Sequence, residues 1–370
     1  MRIGIDARMI QGPFTGDSTY WRGLIAGLSH LKSNDEFVLY LDANLPTGNV
    51  TLADNMTVRF VRASSWRLWS AVAFPLALRK DRVDVAHVQY AIPPLMPCPV
   101  VTSIHDVSFK RYPEFFNTKD RFILDVGVRF ALKRASRILA ISEYTKREII
   151  DLYRVPPQRV SVIYPGVDEQ FTPDDRLASR TFIEEKYGIN SPIILTLGVI
   201  QPRKNLPTLV KGFAKLKASQ EFEHKLVVAG KYDWKEQGLI GLVEELELTQ
   251  DVLFIGYVPY EDLPALYRAA DVFVYPSVYE GFGLPPLEAM ACGTPVVTGN
   301  RSSLPEVVGE AGIMVDPYDP EAFALAMWNV LSSESLRAEM SQAGLNQAAK
   351  FSWDKMATEV LHIYREAASQ

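Results

Sequence analysis

Glu280 and Glu288, with seven residues between them, frame a turn rich in glycine and proline, Gly281-Phe282-Gly283-Leu284-Pro285-Pro286. The apolar run Val272–Tyr275 ahead of the turn reads as a strand. Pro285 opens a helix behind it, because the first helical turn has no use for the N–H that proline lacks. Gly281 and Gly283 allow close backbone approach to a ligand, while Phe282, Gly283 and Leu284 can aim amides at an anion in front of the helix dipole. That is the chemistry of a phosphate site. Carboxylates repel phosphate, so the glutamates suit the hydroxyl groups that flank one, on a sugar ring or a ribose. In isolation the pair reads better as one helix-start glutamate and one solvated glutamate. A second turn, Gln201-Pro202-Arg203-Lys204-Asn205, follows the apolar run Ile193–Leu197. Two fixed cations there can clamp a diphosphate and stabilise it as a leaving group.

The elements that must hold these turns alternate between short apolar runs and helical patterns. Met1–Ala7, Phe37–Leu41, Val83–Val88, Val100–Ile104, Ile138–Ile141 and Val160–Ile163 read as strands, and Thr19–Leu31, Lys119–Ala135 and Glu143–Tyr153 as helices. The alternation restarts with strands at Ile193–Leu197, Lys225–Ala229, Val252–Ile255, Val272–Tyr275 and Pro295–Thr298. Helices at Leu206–Leu216, Leu239–Leu246, Leu263–Ala269, Pro285–Ala291 and Pro320–Leu331 separate them. Such a pattern predicts two doubly wound α/β domains with parallel sheets. The Pro- and Asp-rich stretch Tyr164–Asp175 has the composition of a connector. The expected division is 1–170, 171–350 and a C-terminal helix in 351–370. Two open sheets facing one another would present the carboxyl ends of their strands to the gap between them, where the site is expected.

Composition limits the classes of function. At 370 residues, with 48% hydrophobic and 22% charged, the chain suits two domains of roughly 150–200 residues and excludes a disordered or fibrous protein. No stretch approaches about 18 uncharged apolar residues, and Asp6 interrupts any leader-like start, so a cytoplasmic location is expected. Cys98 and Cys292 are too few for a disulfide framework or metal cluster, and each reads as a buried small hydrophobe. The net charge of −5 is unevenly divided: residues 1–165 carry 22 Lys/Arg against 15 Asp/Glu, and 166–370 carry 17 against 29. A basic half attracts anionic partners, but charge of this size decides encounter rather than chemistry. Trp66, Leu68, Trp69, Val72, Phe74 and Leu76 are interleaved with Arg62, Arg67, Arg79, Lys80 and Arg82. This stretch suits peripheral contact with an anionic membrane surface, at the inner face, and equally a buried helix with basic ends.

The spaced glutamates, the Pro-Arg-Lys-Asn turn, Gly256-Tyr257-Val258 with Leu263 to Asp271, Ser303-Leu304-Pro305-Glu306-Val307 and Ser142-Glu143-Tyr144-Thr145-Lys146 together resemble the retaining glycosyltransferases of family GT4. The similarity covers nearly the whole chain and is greatest to the mannosyltransferase B-like group of bacterial surface-polysaccharide synthesis. It implies the GT-B fold, two Rossmann-like domains with a final helix crossing back to the first. By resemblance, the nucleotide sugar is held mainly by the C-terminal domain. Glu280 corresponds to the carboxylate on donor-sugar hydroxyls and Glu288 to the ribose ligand. Arg203 and Lys204 match the diphosphate clamp, and His105 the histidine that contacts the sugar near the reacting carbon. Base recognition falls near Tyr257 and Val258, through backbone groups. Gly16 begins the first-domain phosphate loop, which departs from the family pattern: glycine is usual where Ser18 stands and a basic residue where Thr19 stands, and Asp17 adds a carboxylate.

The implied reaction is transfer with retention of a hexose from a nucleoside-diphosphate sugar to a saccharide or lipid-linked acceptor. GDP-mannose is the favoured donor, with UDP- or dTDP-hexoses as alternatives. No Asp-x-Asp suggests a metal bridge, and no resident cofactor and no nucleic-acid partner are expected. Three other readings share parts of the pattern. A phosphorylase-like enzyme would need lysine-bound pyridoxal phosphate. A nicotinamide dehydrogenase would want Gly-x-Gly-x-x-Gly after the first strand, which Gly12 and Gly16 do not supply. A non-catalytic sugar-nucleotide-binding or scaffold protein would explain the altered Gly16–Thr19 loop.

Overall fold

The computed structural model describes residues 1–45, 52–231 and 238–369. The chain divides into two compact units, Met1–Gly166 with Phe351–Gln370, and Val167–Lys350. In the first, strands β1 (Arg2–Asp6), β2 (Glu36–Asp42), β3 (Met56–Val61), β4 (Val85–Gln89), β5 (Val100–Ile104), β6 (Arg137–Ala140) and β7 (Val160–Val162) form one sheet. Its order is β3-β2-β1-β4-β5-β6-β7, and every pairing is parallel. Helices cover both faces of such a sheet, so central strands read as continuous apolar runs; β5 is buried at all five positions. The order reverses between β1 and β4, the switch point where loops after the strands diverge and leave a crevice.

The second unit repeats the plan with β8 (Ile193–Leu197), β9 (Lys225–Ala229), β10 (Val252–Gly256), β11 (Val272–Tyr275), β12 (Val296–Gly299) and β13 (Ile313–Val315), in the order β10-β9-β8-β11-β12-β13. Its switch point lies between β8 and β11. Both strands continue into the charged turns of interest: Arg203 and Lys204 follow β8, and Glu280 follows β11. The α/β class is as the alternation predicts.

The helix Trp353–Ala368 belongs to the first unit and lies along the helix Gly16–His30. Glycine makes the approach feasible, since a Cβ on Gly23 would stand 2.2 Å from the Trp353 ring and one on Gly27 2.4 Å from the Trp353 carbonyl oxygen. Tyr364 reaches into the sheet, with its hydroxyl 2.6 Å from His87 Nδ1, and Arg365 pairs with Asp35 at 2.8 Å.

Several expectations need correction. The first helix begins at Gly16 rather than Thr19, because Thr15 and Ser18 form a reciprocal capping box. Tyr164–Asp175 holds no helix or strand, as a connector should, but it is followed by a helix that was not expected, Arg176–Tyr187, capped by Asp175. Cys292 is buried, but Cys98 is only partly so. In the Trp66–Leu76 stretch Trp69 and Phe74 are buried, whereas Trp66, Leu68, Val72 and Leu76 are exposed, so the segment is not the buried helix that was the alternative. Gln370, the last residue of the expected C-terminal segment, lies outside the described residues.

Candidate active site

Within the second unit, the turn after β8 and the turn after β11 meet at one carboxylate. Glu280 Oε2 accepts from Arg203 Nη1 at 2.8 Å, and Oε1 accepts from Lys204 Nζ at 2.7 Å and from Ser277 Oγ at 2.5 Å. Glu280 is 6% exposed and Lys204 9%, and Glu288 is also 6% exposed, so neither glutamate is the solvated one of the alternative reading. Burial alone would push the Glu280 carboxyl up, but the Arg203 and Lys204 charges outweigh it and hold the group at about 2. Lys204 also donates to the Tyr275 hydroxyl. The backbone is tied across the same turns: Val278 N–H donates to the Arg203 carbonyl at 2.9 Å, Arg203 Nη1 donates to the Tyr279 carbonyl at 3.2 Å, and Glu280 N–H donates to Ser302 Oγ at 3.0 Å. Ser303 Oγ holds the Glu280 and Phe282 carbonyls at 3.0 and 2.6 Å. Two cations against one carboxylate leave a net positive charge beside the glycine turn.

The helix Leu284–Ala291 begins behind Gly283, whose φ of 119° only glycine adopts readily. Pro285 and Pro286 carry no N–H, so Gly283 and Leu284 supply the donors that this turn presents ahead of the helix. Glu288 lies on the same helix, 6% exposed. Burial raises its carboxyl to about 7, against the Tyr267 hydroxyl that donates to Oε2 at 2.8 Å. Tyr257 is half-exposed under Lys231, whose Nζ is 4.9 Å from the ring centroid. The Val258 side chain is buried, so only its backbone can meet a ligand. A small pocket between Gly198, Val199, Lys204, Tyr275 and Pro276 lies under the β8 turn. Gly230 borders this region, and a Cβ there would stand 1.8 Å from the Gly198 carbonyl oxygen.

Within the first unit, His105 follows the carboxyl end of β5 and Gly16 opens the helix after the β1 loop. His105 is 6% exposed, its Nδ1 lies 2.7 Å from Asp17 Oδ1, and its Nε2 has no hydrogen-bond partner. Gly16 stands in open space, where a Cβ would meet nothing within 4 Å, so packing does not demand glycine there. The structure thus gathers Arg203, Lys204 and Glu280 into one cluster, with Gly283, Leu284 and Glu288 on the adjoining helix. The sequence reading gave no role to Tyr275, Ser277 and Ser302, which hold Lys204 and Glu280, or to Tyr267, which holds Glu288. The motifs Leu263 to Asp271 and Ser303-Leu304-Pro305 contain or adjoin two of them. Among the described residues no group of His, Cys, Asp or Glu is placed to hold a metal ion.

Two doubly wound units, each with its polar turns at the switch point, define an α/β protein of the GT-B class. The profile of the glycosyl transferases group 1 matches residues 179–347, and that of Glycosyltransferase Family 4 matches residues 40–171. O-antigen chain mannosyltransferase B of Escherichia coli is 36% identical over 266 residues, 72% of this chain and 70% of that protein. The chain therefore belongs to the family 4 glycosyltransferases and is a glycosyltransferase. The serotype-specific mannosyltransferase WbdA of Escherichia coli is 36% identical over 249 residues, 65% of this chain but 31% of that much longer one. Among solved structures, sucrose-phosphate synthase from Thermosynechococcus elongatus superposes with a TM-score of 0.79 at 20% identity, covering 99% of this chain and 98% of that one. WaaG, a glycosyltransferase involved in lipopolysaccharide biosynthesis, does so with 0.74 at 17% identity, covering 98% and 99%. At these identities the likeness is one of fold.

Proposed function

We propose that the chain transfers a hexose with retention, mannose from GDP-mannose being the favoured donor over UDP- or dTDP-hexoses, to a saccharide or lipid-linked acceptor in cell-surface polysaccharide synthesis. The names of its mannosyltransferase relatives support the sugar and the process. The observation that carries the reading is the buried Glu280 held by both Arg203 and Lys204 next to the glycine turn.

In this reaction the bond from the anomeric carbon to the diphosphate oxygen breaks, and the acceptor hydroxyl oxygen bonds to that carbon on the same face. The hydroxyl proton passes to the departing phosphate. Positive charge gathers on the ring and negative charge on the leaving group, so stabilisers are needed at both ends. Arg203, Lys204 and the amides of Phe282, Gly283 and Leu284 serve the diphosphate. Glu280, kept ionised by the same cations, accepts from sugar hydroxyls and Glu288 from the ribose. Tyr257 and the Val258 backbone take the base, while Gly16 and His105 of the first unit contact the diphosphate and the sugar. Incubation with GDP-mannose, UDP-glucose and dTDP-glucose, followed by NMR of the anomeric configuration of the product, tests this. Retained configuration from one donor is expected; inversion overturns the mechanism.

No helix among the described residues is long and apolar enough to cross a membrane. Exposed Trp66, Leu68, Val72 and Leu76 beside Arg67, Arg79 and Lys80 support contact with an anionic membrane surface, at the cytoplasmic inner face. The helix Thr118–Arg134 supports it too, exposing Phe122, Ile123, Val126 and Phe130 among Lys119, Arg121, Arg129, Lys133 and Arg134. Cosedimentation with phosphatidylglycerol vesicles that is lost at high salt is expected. Equal binding to neutral phosphatidylcholine vesicles would contradict it.

A further inference from the structure

Asp17 occupies the first turn of the helix Gly16–His30, where the dipole favours a negative charge. Its carboxylate is 2.7 Å from His105 Nδ1. A second group competes for the same nitrogen: Gln89 Nε2 lies 3.3 Å away. The orientation of that amide is set by Trp21, whose indole N–H donates to Gln89 Oε1 at 2.5 Å and so turns the NH2 towards the histidine. The two neighbours demand opposite states of Nδ1. A carboxylate only accepts, so it requires a proton on Nδ1; an amide NH2 only donates, so it requires a lone pair there.

The shorter contact decides between them. With the proton on Nδ1, directed at Asp17, the neutral ring carries its lone pair on Nε2. The ring cannot turn away, being packed 4.3 Å from Tyr20 and 5.9 Å from Tyr90, centroid to centroid. Nε2 is buried without a partner, a state that is unfavourable until a donor fills it.

We infer that Asp17 is a positioning residue that selects the Nδ1–H tautomer of His105 against Gln89, making Nε2 a hydrogen-bond acceptor for a donor-sugar hydroxyl. The inference rests on the proposed contact between His105 and the donor. A hydroxyl obliged to donate to Nε2 keeps its oxygen electron-rich, which favours the positive charge gathering on the ring in the transition state. Removing Asp17 hands Nδ1 to the Gln89 amide, moves the proton to Nε2 and reverses the direction of that hydrogen bond.

Long-range 1H–15N correlation spectra of the 15N-histidine-labelled chain, without donor and at a pH where imidazole is neutral, read the tautomer directly. The His105 signals are assigned by their loss in His105→Gln. The expected result is Nδ1–H in the wild type, Nε2–H in Asp17→Ala, and transfer by Asp17→Ala reduced about tenfold or more. Nε2–H or a doubly protonated ring in the wild type, an unchanged tautomer in Asp17→Ala, or unchanged transfer while His105→Ala is impaired would each overturn the inference. Unchanged transfer in His105→Ala itself would instead remove the sugar contact on which it rests.

Discussion

At the scale of single residues, the account turns on one carboxylate shared by two cations. Removing either side costs catalysis: Glu280→Ala and Lys204→Ala should each reduce transfer at least about a hundredfold, about 2.7 kcal/mol of transition-state stabilisation. Initial rates with melting temperatures recorded alongside check this, and near-normal turnover in folded variants would refute the site. The two glutamates respond oppositely to pH. Glu280 is held at about 2, below its ordinary 4.5. The stability it contributes is present above the ordinary value and lost as pH falls from there towards about 2. Glu288 is raised by burial to about 7. The folded state therefore favours its proton, and it withdraws stability as pH rises from 4.5 through about 7. The ionised carboxylate is also the better acceptor for ribose hydroxyls, so calorimetry should show donor affinity rising across neutrality in the wild type. Glu288→Gln should flatten that rise, and an undiminished rise in the variant would exclude Glu288 as its source. The residue types and spacing told of phosphate and hydroxyl chemistry, because glycines, prolines and charges at strand-to-helix turns restrict what a turn can bind. They did not tell that Arg203 and Lys204 grip Glu280 itself. An ion pair across 76 or 77 positions of sequence leaves no local trace.

At the scale of elements, what could be read was what the core dictates. Runs buried on both faces, such as β5, β8 and β11, stand where their apolar residues begin and end. The elements that escaped are those with weak patterns. β3 is an edge strand buried only at Met56 and Val61, and β13 has three residues, none fully buried. The helix Glu334–Ala348 buries Met340, Gly344, Gln347 and Ala348, too polar and small a set to make an apolar stripe. The helix Arg176–Tyr187 was hidden by the Pro- and Asp-rich stretch that leads into it. Local devices carry predictions here. Thr15→Ala removes a cap from the helix that bears Asp17 and should cost about 1 kcal/mol in denaturant unfolding. Gly230 has a φ of 141° and no room for a Cβ beside Gly198. Gly230→Ala should therefore lower the melting temperature and weaken donor binding together, whereas an unaffected variant would show that the β8 turn does not depend on this packing.

At the scale of the whole molecule, the chain passes through one unit, builds a second and returns. The return depends on Trp353, which fits against Gly23, Gly27 and Gly166. Trp353→Ala should destabilise the first unit and raise amide exchange in Gly16–His30 while leaving Leu284–Ala291 protected. Uniform exchange in both units would contradict that assignment. The division of charge has a counterpart in the division of labour proposed here, with the acidic unit holding the donor through local cations and helix amides rather than through its net charge.

The central claim is that the unit Val167–Lys350 holds a nucleoside diphosphate by Arg203, Lys204 and the amides ahead of Leu284. Thermal denaturation of the wild type and Arg203→Ala with GDP-, UDP- and dTDP-sugars tests it most directly, since a ligand that binds only the folded state at a hundred times its Kd adds about 2.7 kcal/mol. The account predicts that one nucleotide series raises the wild-type midpoint and that Arg203→Ala loses most of that rise. An equal rise in both proteins, or none with any nucleotide, would contradict it.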